Sequence, residues 1–297
     1  MTEDLVLVES QDGVATVTLN RPAARNALSR PLLRQLRATF AALGSDEGVG
    51  AVILTGADPA FCAGLDLKEL SVSSDLLDGV EGRTGHDGQA SRQPSDVTGQ
   101  PPSSSSPWEP IGKPLIGAVN GAAITGGLEL ALNCDFLIAS ERAVFADTHA
   151  RVGIMPGWGL SVLLPERVGF TMARRMSFTG DFVDARRALE CGLVTEVVPH
   201  DQLLSRARAL AATIAANHRP AVLALHGSYR RIEAEISGAA FEIEAELSRQ
   251  WRQSGGADEI ANRVPGVIAR GRTQAAEARS WAEVASSSYP KRETRCW

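Results

Sequence analysis

Apolar positions fall first into short β-branched runs and later into helical stripes. Leu5 to Val8 and Val14 to Leu19 are two such runs, and Gln11-Asp12-Gly13 between them predicts a β-hairpin. Asn20-Arg21-Pro22 breaks the second run. Ser29 then stands as the cap of a helix with Pro31 in its first turn. Leu32, Leu33, Leu36, Phe40 and Leu43 recur at the spacing of one helical face. Gly50 to Thr55 is a continuous apolar run, as expected of a strand covered on both faces. Phe61 to Leu70 reads as a turn leading into a short helix. Pro114 to Val119 is a second buried strand, followed by Asn120-Gly121, Gly126-Gly127 and a helix over Leu128 to Leu132. Phe136 to Ala139, Ala143 to Phe145 and Val194 to Val198 read as strands. Helices are expected over Leu160 to Val168, over Thr171 to Phe178, over Ala185 to Glu190 with Asp184 as cap, and from about Asp201 onward.

The unit of buried strand, glycine turn and short helix occurs at 50–70 and again at 114–132. This predicts α/β architecture wound as a spiral rather than a dinucleotide-binding sheet. The expected organisation is a spiral core over 1–199 and a helical cap or oligomerisation region over 200–297. One segment departs from the pattern. Residues 71–112 hold nine Ser, six Gly and five Pro, so 20 of 42 positions are loop formers and the segment is either a mobile lid or an inert insertion. His86 is its one candidate for chemistry.

Composition narrows the function classes. Of 297 residues, 44% are hydrophobic and 22% charged, which suits a globular chain with a core. The net charge of −5 argues against a nucleic-acid or anionic-membrane surface, while leaving room for a local basic patch that meets a phosphorylated ligand. Cys62, Cys134, Cys191 and Cys296 are scattered without a CxxC pair, which points to free thiols in a reducing compartment. The start, MTEDLVLVES, lacks the basic and apolar regions of a signal peptide, and no apolar stretch reaches membrane-span length. The expectation is a cytoplasmic protein. The five histidines show no metal-ligand spacing, and neither a P-loop nor a GxGxxG after a strand is present.

The chemistry starts at the two glycine turns. Each leads into a helix, whose first N–H groups are free and lie at the positive end of the dipole. Two such groups aimed at one point bind a developing oxyanion, although a single glycine turn is more often only a tight turn. Several motifs then follow in order: Asn-Arg-Pro-x-x-x-Asn-Ala-Leu (Asn20 to Leu28), Phe-Cys-Ala-Gly-x-Asp-Leu-Lys (Phe61 to Lys68), and Ala-Val-Asn-Gly-x-x-x-x-Gly-Gly-x-Glu-Leu (Ala118 to Leu130). Cys134-Asp135-Phe136, Pro156-Gly157 and Ala188-x-x-x-Gly-Leu-Val (Ala188 to Val194) continue the series. Together they resemble the enoyl-CoA hydratase/isomerase, or crotonase, family over about residues 5–270, with a lapse at 71–112.

The resemblance implies a crotonase-like spiral of ββα units with a C-terminal helical region, and roles for particular residues. It places oxyanion-hole donors at the main chain of Leu65 and Gly126. Ala63, Asp66, Leu67 and Lys68 fall in a segment that resembles the family's CoA-binding turn. Ala24 and Arg25 match its other CoA-contacting turn, where Arg25 either meets a phosphate or is a solvated charge. Glu129 matches the first catalytic glutamate of the hydratases, and otherwise reads as a helix-dipole partner. His149 occupies the place of the second, where it serves as an acid–base group, a structural histidine or the first residue of a helix after Thr148. Asp147, two residues away, is expected to point elsewhere. Trp158 stands where the family has a small residue, as a wall of the acyl pocket or a core aromatic.

By the same resemblance the protein is an acyl-CoA thioester enzyme, in the first instance a hydratase adding water to a 2-enoyl-CoA. An isomerase or a CoA-ester hydrolase on the same hole is the alternative, and an acyl-CoA-binding protein without turnover is another. No cofactor is implied, because the CoA thioester is the substrate. The expected assembly is a homotrimer or a dimer of trimers.

Overall fold

The computed structural model describes residues 4–66, 69, 106–255 and 260–288. Leu67, Lys68 and His86 lie outside the described residues, as does the 71–105 part of the loop-forming segment. Strands β1 (Val6–Gln11) and β2 (Val14–Leu19) form the expected antiparallel hairpin. Asp12 and Gly13 both take left-handed backbone (φ 51° and 77°), the conformation that matches a two-residue turn to the strand twist.

Strands β3 (Ala51–Gly56), β5 (Leu115–Val119) and β7 (Phe136–Ser140) then add in parallel to β2, and β10 (Glu196–Val198) completes a sheet of order β1-β2-β3-β5-β7-β10. A second sheet has the order β4-β6-β8-β9, from Ala60–Cys62, Ala122–Ile124, Val144–Ala146 and Val183–Asp184. The chain therefore alternates between sheets. It passes from β3 to β4, from β5 to β6 and into helix α2 (Gly126–Leu132), then from β7 to β8 and into helix α3 (His149–Val152). This is the spiral of ββα turns. Sequence reading takes Phe61-Cys62 and the segment after Gly121 as turns, whereas each contributes a short strand. Three residues carry too little alternation to announce a strand.

The continuous apolar strands are covered on both faces. Val52, Leu54, Leu115, Val119, Leu137 and Ala139 face the main core, which also receives Leu32, Leu36 and Phe40 of helix α1 (Arg30–Ser45). Ala51, Ile53, Ile116, Ala118 and Ile138 face the other way, onto Leu203, Ala207 and Ala211 of α6 (Leu203–Ala216). The first long helix beyond residue 200 is thus a layer against the sheet. Each fully buried Leu or Ile of these faces contributes about 1.5–3 kcal/mol.

Helix α4 (Leu160–Thr179) is two helices broken at Gly169, which takes φ 73° and ψ 154°, in keeping with the separate stripes in the sequence. Asp184 caps α5 (Ala185–Glu190) by accepting from the Arg187 N–H at 2.7 Å. Helices α7 (Arg219–Gln253) and α8 (Ile260–Ser288) follow. Asp181 anchors α8 by accepting from Arg270 and Gln274 while also pairing with Arg151 of α3. The described end of the loop-forming segment is packed: Trp108 lies 4.5 Å from Phe40 between ring centroids, and Arg37 donates to the Pro107 carbonyl. Among the described residues no helix is long and apolar enough to cross a membrane.

Candidate active site

The first turn of the site is built by Asn26. Fully buried, it accepts from the Arg21 N–H at 2.8 Å and donates to the carbonyls of Ala57 and Ala60 at 2.8 and 2.7 Å. This locks the 20–28 turn against β4. Leu28 then bridges to Leu65: its N–H donates to the Gly64 carbonyl (2.8 Å) and its carbonyl accepts from the Asp66 N–H (3.0 Å). A bridge of this kind uses the residues on either side of Leu65, so the Leu65 N–H points away from it.

The second turn ends at Thr125, whose φ of 53° and ψ of −112° is a strained conformation for a β-branched residue, costing about 1–3 kcal/mol. Its neighbours hold it there. The Thr125 N–H donates to the Ala146 carbonyl at 2.8 Å, and its hydroxyl meets that of Thr148 at 2.5 Å. The strained residue turns the next peptide so that Gly126 opens α2 with a free N–H. A Cβ on Gly126 would stand 3.8 Å from the Leu65 nitrogen, so the two N–H groups are neighbours. Gly127 lets α2 approach this closely, since a Cβ there would stand 2.0 Å from the Cys62 carbonyl oxygen.

Glu129 follows one turn into α2 and is buried. Its Oε1 accepts from the N–H groups of Gly157 (3.1 Å) and Trp158 (2.8 Å). Its Oε2 lies 3.5 Å from Nε2 of His149, the first residue of α3. The other ring nitrogen, Nδ1, lies 2.6 Å from Oδ1 of Asp147. All three side chains are buried. Burial alone lowers an imidazole pKa, but here the charge and hydrogen bond of Asp147, followed by those of Glu129, prevail and raise His149 from its ordinary 6.5 to about 10. Asp147 in turn stays below the ordinary carboxylate value. Burial opposes this, and the His149 charge and hydrogen bonds from His149 and Ser177 outweigh it.

The expectation for Asp147 is therefore corrected: it points at His149. Thr148 between them takes φ −107° and ψ 15°, a turn, and an Asp at the start of a turn accepts from the main-chain N–H two residues on, here that of His149 at 3.1 Å. An Asp two residues before a helix start was the available signal. Glu244, not singled out in the sequence, also enters the site from α7. It accepts from the Gly159 N–H (2.7 Å) and the Ser161 N–H (2.6 Å), so two carboxylates grip the 157–161 turn. Burial, then the Glu129 charge, raises its pKa above the ordinary value. It stands 83 or more positions from the other members, and no local motif announces it.

The other anticipated residues divide. Ala24, Arg25 and Ala63 come together, with the Ala63 N–H donating to the Arg25 carbonyl at 3.0 Å. The Arg25 side chain is exposed and makes no hydrogen bond or ion pair among the described residues. Asp66 is paired with Arg21 at 3.1 Å. Trp158 is fully buried, its main chain holding Glu129 and Asn133. A cavity of about 440 Å³ opens elsewhere, lined by residues including Trp108, Lys113, Asp135 and His226. It contains neither Glu129 nor His149, and the ionisable cluster marks the site more firmly than that hollow does. Among the described residues no three His, Cys, Asp or Glu side chains are arranged to hold a metal. No disulfide occurs among them; Cys62 and Cys134 are buried free thiols, with burial pushing Cys62 up to about 12.

The core is thus a spiral of ββα turns that sets two neighbouring main-chain N–H groups one helical turn from the buried cluster of Glu129, His149 and Asp147. The family model described as enoyl-CoA hydratase/isomerase matches residues 9–96 and 103–259, and the chain belongs to that family. It is 39% identical over 247 residues to a probable enoyl-CoA hydratase of Rhizobium meliloti (strain 1021), covering 82% of this chain and 88% of that protein. The crystal structure of enoyl-CoA hydratase from Mycobacterium smegmatis matches with a TM-score of 0.72 at 51% identity, covering 85% of this chain and 100% of that one. A monofunctional enoyl-CoA isomerase from M. smegmatis matches with a TM-score of 0.58 at 33% identity, covering 76% and 91%. These relatives make the chain an enzyme of the hydratase, or lyase, type.

Proposed function

We propose that the protein adds water to a 2-enoyl-CoA, with the Leu65 and Gly126 N–H groups holding the thioester oxygen as it gains enolate charge. The observation that carries this reading is the Glu129–His149 contact of 3.5 Å beside those two N–H groups. Glu129 takes a proton from water, and the hydroxide oxygen bonds to the β-carbon. The displaced electron pair of the double bond moves onto the thioester oxygen. His149 then delivers its Nε2 proton to the α-carbon as the carbonyl re-forms. Glu129 is left protonated and His149 neutral, and passage of the proton from Oε2 to Nε2 restores both. A raised His149 pKa suits the role of acid at neutral pH.

Ala24, Arg25, Ala63, Leu67 and Lys68 receive the CoA moiety, with the exposed Arg25 guanidinium meeting a phosphate. Asp66, paired with Arg21, shapes that turn. Trp158 limits the acyl end by its bulk. The CoA thioester is substrate, and no cofactor is required. The assembly is a homotrimer or dimer of trimers, supported by the exposed Leu225, Tyr229, Ile232, Ile236, Ile243 and Leu247 along α7.

With a short 2-enoyl-CoA, the purified protein should bleach the conjugated enoyl absorbance, and Glu129→Gln should lower kcat by about 10²–10⁴-fold. Absence of bleaching at every chain length overturns the reading. Double-bond isomerisation is the second reading, favoured by the superposition on the M. smegmatis isomerase. Oxygen-18 water separates the two, because only hydration places solvent oxygen in the product.

A further inference from the structure

We propose that Asp147 is a positioning residue that holds the Nδ1–H of His149, turns Nε2 toward Glu129 and keeps the ring in its proton-carrying form. The inference rests on reading the cluster as the acid–base centre of the hydration site. Its geometric basis is the double attachment of one carboxylate to one residue. Asp147 Oδ1 accepts from the His149 main-chain N–H at 3.1 Å and faces its Nδ1 at 2.6 Å. Ser177 of α4 also helps to hold the carboxylate in its charged form. Ring and backbone are thus held together, and the imidazole has no freedom to present its other edge.

The two ring nitrogens face different carboxylates: Nδ1 meets Asp147, and Nε2 meets Glu129 at 3.5 Å. A neutral imidazole donates through one nitrogen only, whereas the imidazolium donates through both and satisfies both partners. Asp147 never approaches Glu129's partner nitrogen, so its work is on the charge and tautomer of the ring. When Nε2 gives up its proton, the Asp147 contact keeps hydrogen on Nδ1 and the lone pair on Nε2. That is the edge facing protonated Glu129, from which the proton returns.

The surrounding charges leave Asp147 as the immediate source of the effect. Glu129 approaches from α2, and Glu244 of α7 lies behind it on the 157–161 turn. Arg263 of α8 packs at Gly153, at the far end of α3. Arg151, on α3 itself, is turned away to the Thr179 carbonyl and Asp181.

The test is an NMR titration of the His149 ring together with a kinetic double-mutant cycle. In the unaltered protein the ring should titrate far above 6.5. In Asp147→Asn it should titrate lower by about two pH units, as loss of an adjacent opposite charge dictates. The same variant should lose kcat by about 100-fold with KM little changed, and the alkaline limb of the pH profile should move down with the ring. In a His149→Gln background, Asp147→Asn should cost nothing further. A ring that titrates near 6.5 in the unaltered protein overturns the proposal, even where the variant fails to fold. So does an unmoved ring in Asp147→Asn, or additive kinetic losses. Failure of hydration with the ring still titrating high would instead sink the hydratase reading and leave the Asp147–His149 coupling standing.

Discussion

His149 shows how one residue sets a response of the whole protein to pH. Its folded-state pKa, about 10, lies above the ordinary 6.5 of an unfolded histidine. The folded chain therefore holds more protons than the unfolded chain between those values. The stabilisation is complete below about pH 6.5 and is lost as pH rises through about 10. Asp147 acts in the opposite sense: its depressed pKa gives stability above the ordinary carboxylate value that is lost in acid. Urea midpoints measured from pH 6 to 10 should fall across that range, and His149→Gln should flatten the dependence. An unchanged slope in the variant would place the titrating group elsewhere.

At the scale of elements, the site depends on the 157–161 turn more than on any helix. Glu129 of α2 draws in its first two N–H groups, and Glu244 of α7 draws in the next ones while closing the start of α4. These N–H groups would otherwise be unmet at a buried helix start. Hydrogen bonds to a buried charge are worth about 1.5–3 kcal/mol each when removed. Glu244→Ala should thus lower unfolding free energy by about 3 kcal/mol and raise mobility in the turn, read as faster amide exchange at Trp158 and Gly159. Glu244→Gln keeps one acceptor oxygen and should retain part of the loss. Equal stability of Glu244→Ala and the parent would show that the turn holds itself.

For the whole molecule, the open question of partners falls on α7. Leu225, Tyr229, Ile232, Ile236, Ile243 and Leu247 are exposed and recur at intervals of four, three, four, seven and four residues, which align on one helical face. A continuous exposed apolar face of this length is the kind of surface a protein partner covers. Under the proposed trimeric assembly, replacing Ile232 and Ile236 with Glu should shift the protein toward monomer in sedimentation velocity. An unaltered sedimentation coefficient would move that contact to another surface.

What the sequence determined by itself was the part written in local spacing. The hairpin, the capped α1, the buried parallel strands and the helix after Gly126-Gly127 follow from apolar period and turn residues, which act over a few positions. The ordered motifs from Asn20 to Val194 carried the family, and with it the neighbouring main-chain sites at Leu65 and Gly126. Of the second sheet, Val144–Ala146 was legible to within one residue, whereas Ala60–Cys62 and Ala122–Ile124 escaped because alternation needs length to be seen. The tertiary structure alone decided which side chains meet. Glu244 reaches the 157–161 turn across 83 to 85 positions, and nothing local encodes that contact. Asp147 is the instructive intermediate, because an Asp accepts locally from the main-chain N–H two residues on, yet only packing against α2 and α4 made Asp147 and His149 an ion pair. Local sequence fixes backbone shape, whereas the protonation state of a buried group depends on every charge the fold brings within a few ångströms.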